Sequence, residues 1–116
     1  MKTYFIDIDA VIFKQKPGLT EAILEPMEVL PGVLSFFNDA NWGNHKIILT
    51  TGRKESARDI TIKQVHDAGL FFDVLLCGLD AGGVRVLINN LKKDSEEPTA
   101  IAINLKENEG LINVTI

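Results

Sequence analysis

The chain begins with an apolar run that is interrupted by two carboxylates. Residues 4–13 are rich in aromatic and β-branched side chains, and Asp7 and Asp9 lie one residue apart within them. Such a run is typical of a strand buried on both faces of a parallel sheet. An ionised Asp is costly to bury without a partner, so we expect both at the carboxyl end of the strand, where ligands bind in open α/β sheets. Strand side chains alternate with a period of two, which lets Asp7 and Asp9 share one site.

The apolar pattern that follows predicts alternating helices and strands. A helix is expected over 31–42, with a proline in its first turn, and a second buried strand over 46–50. A second helix is expected over 56–68, where Ser56 and Asp59 have the spacing of a capping box. The order of elements up to this point is therefore β-α-β-α.

Further strands are predicted in the second half of the chain. Apolar runs at 72–77, 84–88 and 99–103 indicate a third, fourth and fifth strand, and 111–116 either adds an edge strand or lies across the surface. The link 78–83 is too short for a crossover helix, so the third and fourth strands form a hairpin or the link runs extended. The predicted fold class is α/β, a Rossmann-like three-layer sandwich with a mainly parallel central sheet and no large cap.

Residues 10–30 have a less regular pattern than the segments around them. Three prolines in the stretch from Pro17 to Pro31 prevent a long helix there. Short apolar stretches at 12–14 and 22–24 predict a hairpin, which is a candidate flap over the end of the sheet.

The composition excludes some classes of function but does not identify one. The 116 residues indicate one domain, and 46% hydrophobic with 24% charged residues is ordinary globular composition. A net charge of −4 argues against nucleic acids and anionic membranes as partners, but it allows a small phosphorylated ligand. Cys77 is the single cysteine and has no internal disulfide partner, so we expect a soluble cytoplasmic protein.

Three parts of the sequence together resemble the haloacid dehalogenase superfamily. They are Asp7-Ile8-Asp9 at a strand end, the stretch Ile48-Leu49-Thr50-Thr51-Gly52-Arg53, and Asn89-Asn90 after an apolar run. The resemblance covers roughly residues 3–93. It implies a Rossmann-like fold and Mg²⁺-dependent phosphohydrolase activity, and the short insert after the first part looks like the capless branch, similar to small phosphatases of sugar and capsule biosynthesis.

The resemblance implies a role for each matching residue. Asp7 is the nucleophile that becomes an aspartyl phosphate, and Asp9 protonates the leaving oxygen and later activates water. Mg²⁺ is held by Asp7, by the backbone carbonyl of Asp9 and by an oxygen of Asn89 or Asn90. Thr50 donates to a phosphoryl oxygen.

Other residues near these motifs are expected to bind substrate. Thr51 and the Gly52 amide extend an anion site, and Arg53 holds substrate. The family usually has a Lys after the glycine that matches Gly78, where this chain has Leu79. Arg85 is the nearest substitute, and its guanidinium can bind a phosphate with two hydrogen bonds.

One departure from the family pattern leaves the function open. Asn89 and Asn90 are both amides where the family has at least one acid, and an amide oxygen binds Mg²⁺ less strongly than a carboxylate. The sequence therefore predicts either a phosphatase for a small phosphorylated metabolite such as a sugar phosphate, or a binding or regulatory domain with weak or lost catalysis. A receiver-type signalling domain fits less well, because its phosphate acceptor follows the third strand, where this chain has Cys77-Gly78.

Overall fold

The structure, a computed structural model, describes residues 1–16 and 26–116. Its strands are β1 (Thr3–Asp7), β2 (Lys46–Thr50) and β3 (Val74–Leu76), and its helices are α1 (Val33–Trp42) and α2 (Arg58–Asp67), with a 3₁₀ turn at Glu55–Ala57. Neither of these two helices of the described ranges is long and apolar enough to cross a membrane.

The three strands form one parallel sheet in the order β1-β2-β3. In this register Phe5 lies beside Ile48, and Asp7 lies beside Thr50 at the carboxyl ends of their strands. Each connection passes through a helix, as parallel neighbours require. The prediction of a small α/β fold with a parallel sheet is confirmed for these strands.

The core lies between the sheet and the helices. Ile6, Ile47 and Leu49 are at most 6% exposed and belong to one cluster with Phe37 of α1 and Val65 of α2. The two crossovers run in the same direction along the sheet, so right-handed connections place both helices on the same face.

The opposite face of the sheet is more open. Phe5, Val74 and Leu76 are 55%, 41% and 40% exposed, although all three are apolar. Within residues 1–16 and 26–116 no further helix covers them, so a third layer is not seen there.

The predicted fourth and fifth strands are wrong. Residues 84–88 and 99–103 form no regular structure, and Val84, Ile88 and Ile101 are each more than 80% exposed. The link 78–83 contains a turn, in which the Gly83 amide donates to the Asp80 carbonyl. An apolar run without a crossover or a neighbouring strand thus remains in solvent.

Smaller corrections concern element ends. The third strand is shorter than the predicted range 72–77. The first helix begins at Val33, after the predicted proline, and the second begins at Arg58 with no side-chain cap, so the capping box at Ser56 and Asp59 is wrong. Ser56 lies instead in the 3₁₀ turn, whose backbone bonds lead into the helix.

The segment after β1 pairs with the residues before α1. The Lys14 amide donates to the Glu28 carbonyl, and the Leu30 amide donates to the Ile12 carbonyl, both at 2.9 Å. The predicted hairpin partner at 22–24 lies outside the described residues. The described pairing ties the loop that carries Asp9 to the start of the first helix.

The end of the chain packs against this loop. The Asn108 amide donates to the Ala10 carbonyl at 2.8 Å, and the Asn108 side chain accepts from the Gln15 amide at 2.8 Å. Leu111 is 5% exposed and joins the core cluster. Of the two alternatives for 111–116, an added edge strand is not formed, and the segment lies across the body through turns.

Candidate functional site

The site is built around the neighbouring ends of β1 and β2. Parallel register sets Asp7 beside Thr50, and the Thr50 hydroxyl donates a hydrogen bond to Asp7 Oδ1. Thr50 is 7% exposed, so its hydroxyl needs this acceptor. Because Asp7, Thr50 and Asn89 each close an apolar run, the sequence predicts that all three converge at one end of the sheet. Asp7 and Thr50 do so, whereas Asn89 does not line this site. The hydroxyl that the resemblance assigns to a phosphoryl oxygen lies within reach of the proposed nucleophile.

The backbone turns sharply directly after Asp9. Ala10 has a φ of 73°, a left-handed conformation that is uncommon outside glycine. The amides of Ile12 and Phe13 both donate to the Ile8 carbonyl, which closes the turn. This turn takes Asp9 out of the strand while keeping its carboxylate at the strand end.

Asp9 forms a partly buried ion pair with Arg53. Arg53 Nη2 lies 2.9 Å from Asp9 Oδ1, and Arg53 Nε lies 3.1 Å from Asp9 Oδ2. The Thr51 hydroxyl lies 3.4 Å from the same Oδ2 atom. Arg53 is only 2% exposed, whereas the Asp9 side chain is 28% exposed. Arg53, which was predicted to bind substrate, therefore donates its hydrogen bonds to Asp9 in this structure.

Behind this ion pair, two polar side chains of α2 hold the arginine. Arg53 Nη1 donates to Thr61 Oγ1 at 3.0 Å and to Gln64 Oε1 at 2.5 Å. The sequence pattern predicts no role for Thr61 and Gln64. Two polar residues within an otherwise apolar face were the available signal, since buried polar groups need partners.

The loop after β2 leaves one amide available for an anion. The Thr51 amide donates to the Leu76 carbonyl, and the Arg53 amide donates to the Thr51 hydroxyl. The Gly52 amide has no acceptor within the described ranges. A side chain at Gly52 would meet Ala81 at 3.1 Å and the Leu79 carbonyl at 3.2 Å, so the loop after β3 passes close over it.

These residues line an open cavity of about 460 Å³. Its walls are the end of β1 with the turn after it, the loop 50–53 and the loop 81–85. Arg85 lines it and donates to the carbonyls of Asp80 and Gly83 at 3.1 and 2.8 Å. Its second guanidinium nitrogen, Nη2, faces no acceptor in the described residues.

Two further charged residues of the cavity wall were missed from sequence. Lys16 lines the cavity and donates to the Pro26 carbonyl at 3.1 Å, while Glu107 lines it from near the end of the chain. Lys16 follows the first motif closely, so its position after the strand was a usable signal. Glu107 is brought there by the contact of Asn108 with Ala10, which no local pattern reveals.

Asn89 and Asn90 are not among the residues that line the cavity. Both are exposed, and Asn90 is engaged within its own segment, where its Nδ2 donates to the Leu91 carbonyl and its carbonyl accepts from the Thr99 hydroxyl. The strand that was to carry them to Asp7 is not formed. Their part in metal binding therefore stays a prediction.

The described part of the cavity offers few donors to a cation. Asp7 Oδ2 accepts no hydrogen bond within residues 1–16 and 26–116, which leaves one hard carboxylate oxygen for a cation. The described residues contain no group of three or more His, Cys, Asp or Glu side chains placed to hold a metal. Mg²⁺ commonly uses one or two carboxylates together with water and substrate phosphate, which matches this sparse set.

Cys77 lies beside the loop of the site without contributing a reactive group. Burial raises the pKa of its thiol, an effect that the nearby Arg58 opposes. A thiol with a raised pKa stays protonated near neutral pH and is a poor nucleophile. Cys77 is therefore a small, partly buried apolar group just after β3.

Comparison with known proteins gives one partial structural match. A solved D,D-heptose 1.7-bisphosphate phosphatase from B. bronchiseptica, complexed with magnesium and phosphate, is 21% identical, with a TM-score of 0.49. The match covers 66% of this chain and 49% of that chain, so this chain spans about half the length of that enzyme. No protein-family profile and no curated protein sequence matches the chain.

Proposed function

We propose that this chain is a Mg²⁺-dependent phosphohydrolase of the haloacid dehalogenase type that acts on a small phosphorylated metabolite such as a sugar phosphate. The observation that carries the proposal is the pairing of Asp7 with the Thr50 hydroxyl at the adjacent ends of two parallel strands. A carboxylate at a strand end, beside a hydroxyl and an available amide, is suited to a nucleophile facing a phosphoryl group.

In the proposed reaction the carboxylate of Asp7 attacks phosphorus, and the bond from phosphorus to the leaving oxygen breaks. In its protonated form Asp9 donates a proton to that oxygen. The resulting carboxylate later takes a proton from the water that hydrolyses the aspartyl phosphate, which releases inorganic phosphate and restores Asp7. Thr50 and the Gly52 amide hold the phosphoryl oxygens. Lys16 and Arg85 line the cavity and contact the rest of the substrate. This assignment is supported by their shared position around one cavity.

The proposed Mg²⁺ ligands of the described site are Asp7 Oδ2 and the backbone carbonyl of Asp9, with Asn89 or Asn90 joining if the segment 84–91 moves onto the cavity. When bound, the ion offsets the negative charge of the phosphoryl group as the nucleophile approaches. Asp7 Oδ1 accepts the hydrogen bond from the Thr50 hydroxyl, and this bond fixes the direction in which Asp7 Oδ2 points.

A panel of sugar phosphates, assayed with Mg²⁺ and with a chelator, tests the proposal. We expect release of inorganic phosphate from at least one member, and its loss when the cation is removed. Turnover that persists in chelator would contradict the metal requirement. Absence of turnover across the panel with Mg²⁺ present would favour the second function.

That second function is a binding or regulatory domain that keeps the anion site with little or no turnover. It is favoured by the position of Asn89 and Asn90 outside the residues that line the cavity, because the resemblance needs a ligand from them. Calorimetric binding of inorganic phosphate without hydrolysis of any ester would support it.

A further inference from the structure

Arg53 is a charged side chain that is almost completely removed from water. Its side chain is 1% exposed, and a buried guanidinium requires hydrogen-bond acceptors and a counter-charge. Asp9 supplies the counter-charge with both carboxylate oxygens, at 2.9 and 3.1 Å. The two parallel bonds fix the plane of the carboxylate as well as its distance, because the guanidinium is a rigid fork.

The other end of the guanidinium is fixed just as firmly. Nη1 donates to Thr61 and Gln64, which are 0% and 9% exposed and lie three residues apart on α2. Four of the five N–H groups of Arg53 therefore point at protein acceptors. The arginine connects the buried face of a helix to a carboxylate that is open to the cavity.

The main chain of Arg53 is held as well. Its amide donates to the Thr51 hydroxyl at 3.0 Å, and its carbonyl accepts from the Gly78 amide at 2.7 Å. Neither end of the residue can therefore move toward a ligand without breaking several bonds. A residue held in this way is poorly suited to meet substrate.

We propose that Arg53 is a positioning residue, which holds the Asp9 carboxylate in the orientation needed for proton transfer, and that it does not bind substrate. The proposal rests on the phosphohydrolase function proposed above. It assigns Thr61 and Gln64 the task of keeping the guanidinium in place. Loss of orientation at a proton-transfer group lowers the rate of the chemical step without weakening the binding of substrate.

The test is a comparison of Arg53→Lys with the matched variant Arg58→Lys. A lysine keeps the charge but cannot make the double hydrogen bond. For Arg53→Lys we expect kcat to fall by about 100-fold while KM stays within about threefold of the parent. Arg58 forms an ion pair with Glu55 on the surface, so Arg58→Lys should leave kcat and KM within about twofold of the parent.

Chemical rescue separates positioning from a general loss of structure. Arg53→Ala leaves a space shaped for a guanidinium, so added guanidinium ion at a non-denaturing concentration should restore part of kcat, whereas methylammonium should not. If thermal unfolding shows that Arg53→Ala is not folded, Thr61→Val replaces it in the test. That variant removes one support of Nη1, and we expect kcat to fall about threefold to tenfold at unchanged KM.

The possible failures are distinguishable. If the parent hydrolyses no phosphomonoester with Mg²⁺, the proposed function is wrong and the role of Arg53 falls with it. If the parent is active and Arg53→Lys raises KM by tenfold or more at unchanged kcat, Arg53 binds substrate and only the positioning role is wrong. An unchanged kcat in a folded Arg53→Lys also overturns the positioning role.

Discussion

Two stretches of this chain have the same kind of apolar pattern and very different surroundings. In β2, Ile47 and Leu49 are fully buried. In the segment 84–88, Val84, Val86 and Ile88 are 88%, 77% and 88% exposed. Both stretches are rich in β-branched residues, so local preference alone does not separate them.

The difference lies in how each stretch is connected. β2 follows a helix of ten residues, which carries the chain back to the start of the sheet and covers one face of it. Residues 84–88 follow β3 through the short link 78–83, which contains no helix. An apolar run therefore shows that a segment can be buried, whereas membership in a parallel sheet also requires a crossover and a free neighbouring edge.

The largest expected effect compares a carboxylate at the end of the sheet with an exposed carboxylate that does not line the cavity. Asp7→Asn should lower turnover by about 1000-fold or more, because an amide cannot serve as the nucleophile. Asp94→Asn is the control, since Asp94 has a φ of 60° that asparagine also adopts. Phosphate release by both variants is the measurement, and undiminished turnover in Asp7→Asn would assign the activity to another site.

The next effect concerns stability in the same two regions. Leu49→Ala should lower the free energy of unfolding by about 2–5 kcal/mol, because it leaves a cavity between the sheet and the helices. Ile88→Ala should change it by less than about 0.5 kcal/mol, because that side chain already lies in water. Urea unfolding of both variants tests the comparison. A large loss in Ile88→Ala would mean that residues 84–88 are buried in solution.

Sequence reasoning predicted the parts of the site that depend on strand ends. Asp7 and Thr50 each close an apolar run, and parallel strands bring such ends together, so their contact followed from pattern alone. The pairing of Arg53 with Asp9 did not follow, since a position just after a motif equally suits a substrate ligand. Only the buried acceptors on α2 settle which way the guanidinium points.

Glu107 illustrates a different reason for a missed residue. It reaches the cavity because Asn108 bonds the turn after β1, a contact between residues almost a hundred positions apart. Such contacts depend on the whole fold and leave no periodic signal. The fourth strand was overpredicted for the same reason, because burial of an apolar run depends on what lies next to it.

A smaller effect is expected at the surface pair of Glu55 and Arg58. The hydrogen bond from Arg58 lowers the pKa of Glu55 below its ordinary value of 4.5. A lowered folded-state pKa stabilises the protein above that ordinary value, and the contribution is lost as the pH falls through the lowered pKa. Glu55→Gln should therefore lower the melting temperature slightly at about pH 7, and by less as the pH falls toward about 3. If the difference in melting temperature between the parent and Glu55→Gln grew toward acid pH, the predicted direction of the pKa shift would be wrong.

The last prediction asks whether the exposed segment ever reaches the sheet end. If Asn89 or Asn90 were a metal ligand, replacing it by Asp would add a charge at the ion and tighten Mg²⁺ about tenfold, equivalent to about 1.4 kcal/mol. The structure has both amides exposed and outside the cavity wall, where an added carboxylate is largely screened by water and salt. We therefore expect Asn89→Asp and Asn90→Asp to leave the Mg²⁺ affinity within about twofold of the parent.

Calorimetric titration of Mg²⁺ into the parent and both variants decides between these outcomes, with Asp7→Asn as the control that should weaken binding. Tenfold tightening in either variant would mean that residues 84–91 move onto the end of β1 when the ion binds. The burial of β2 and the exposure of residues 84–88 would then both hold only for the metal-free protein, and Asn89 or Asn90 would join Asp7 as a ligand. No tightening in either variant leaves Asp7 as the principal carboxylate donor, because the segment that carries the amides stays apart from the sheet.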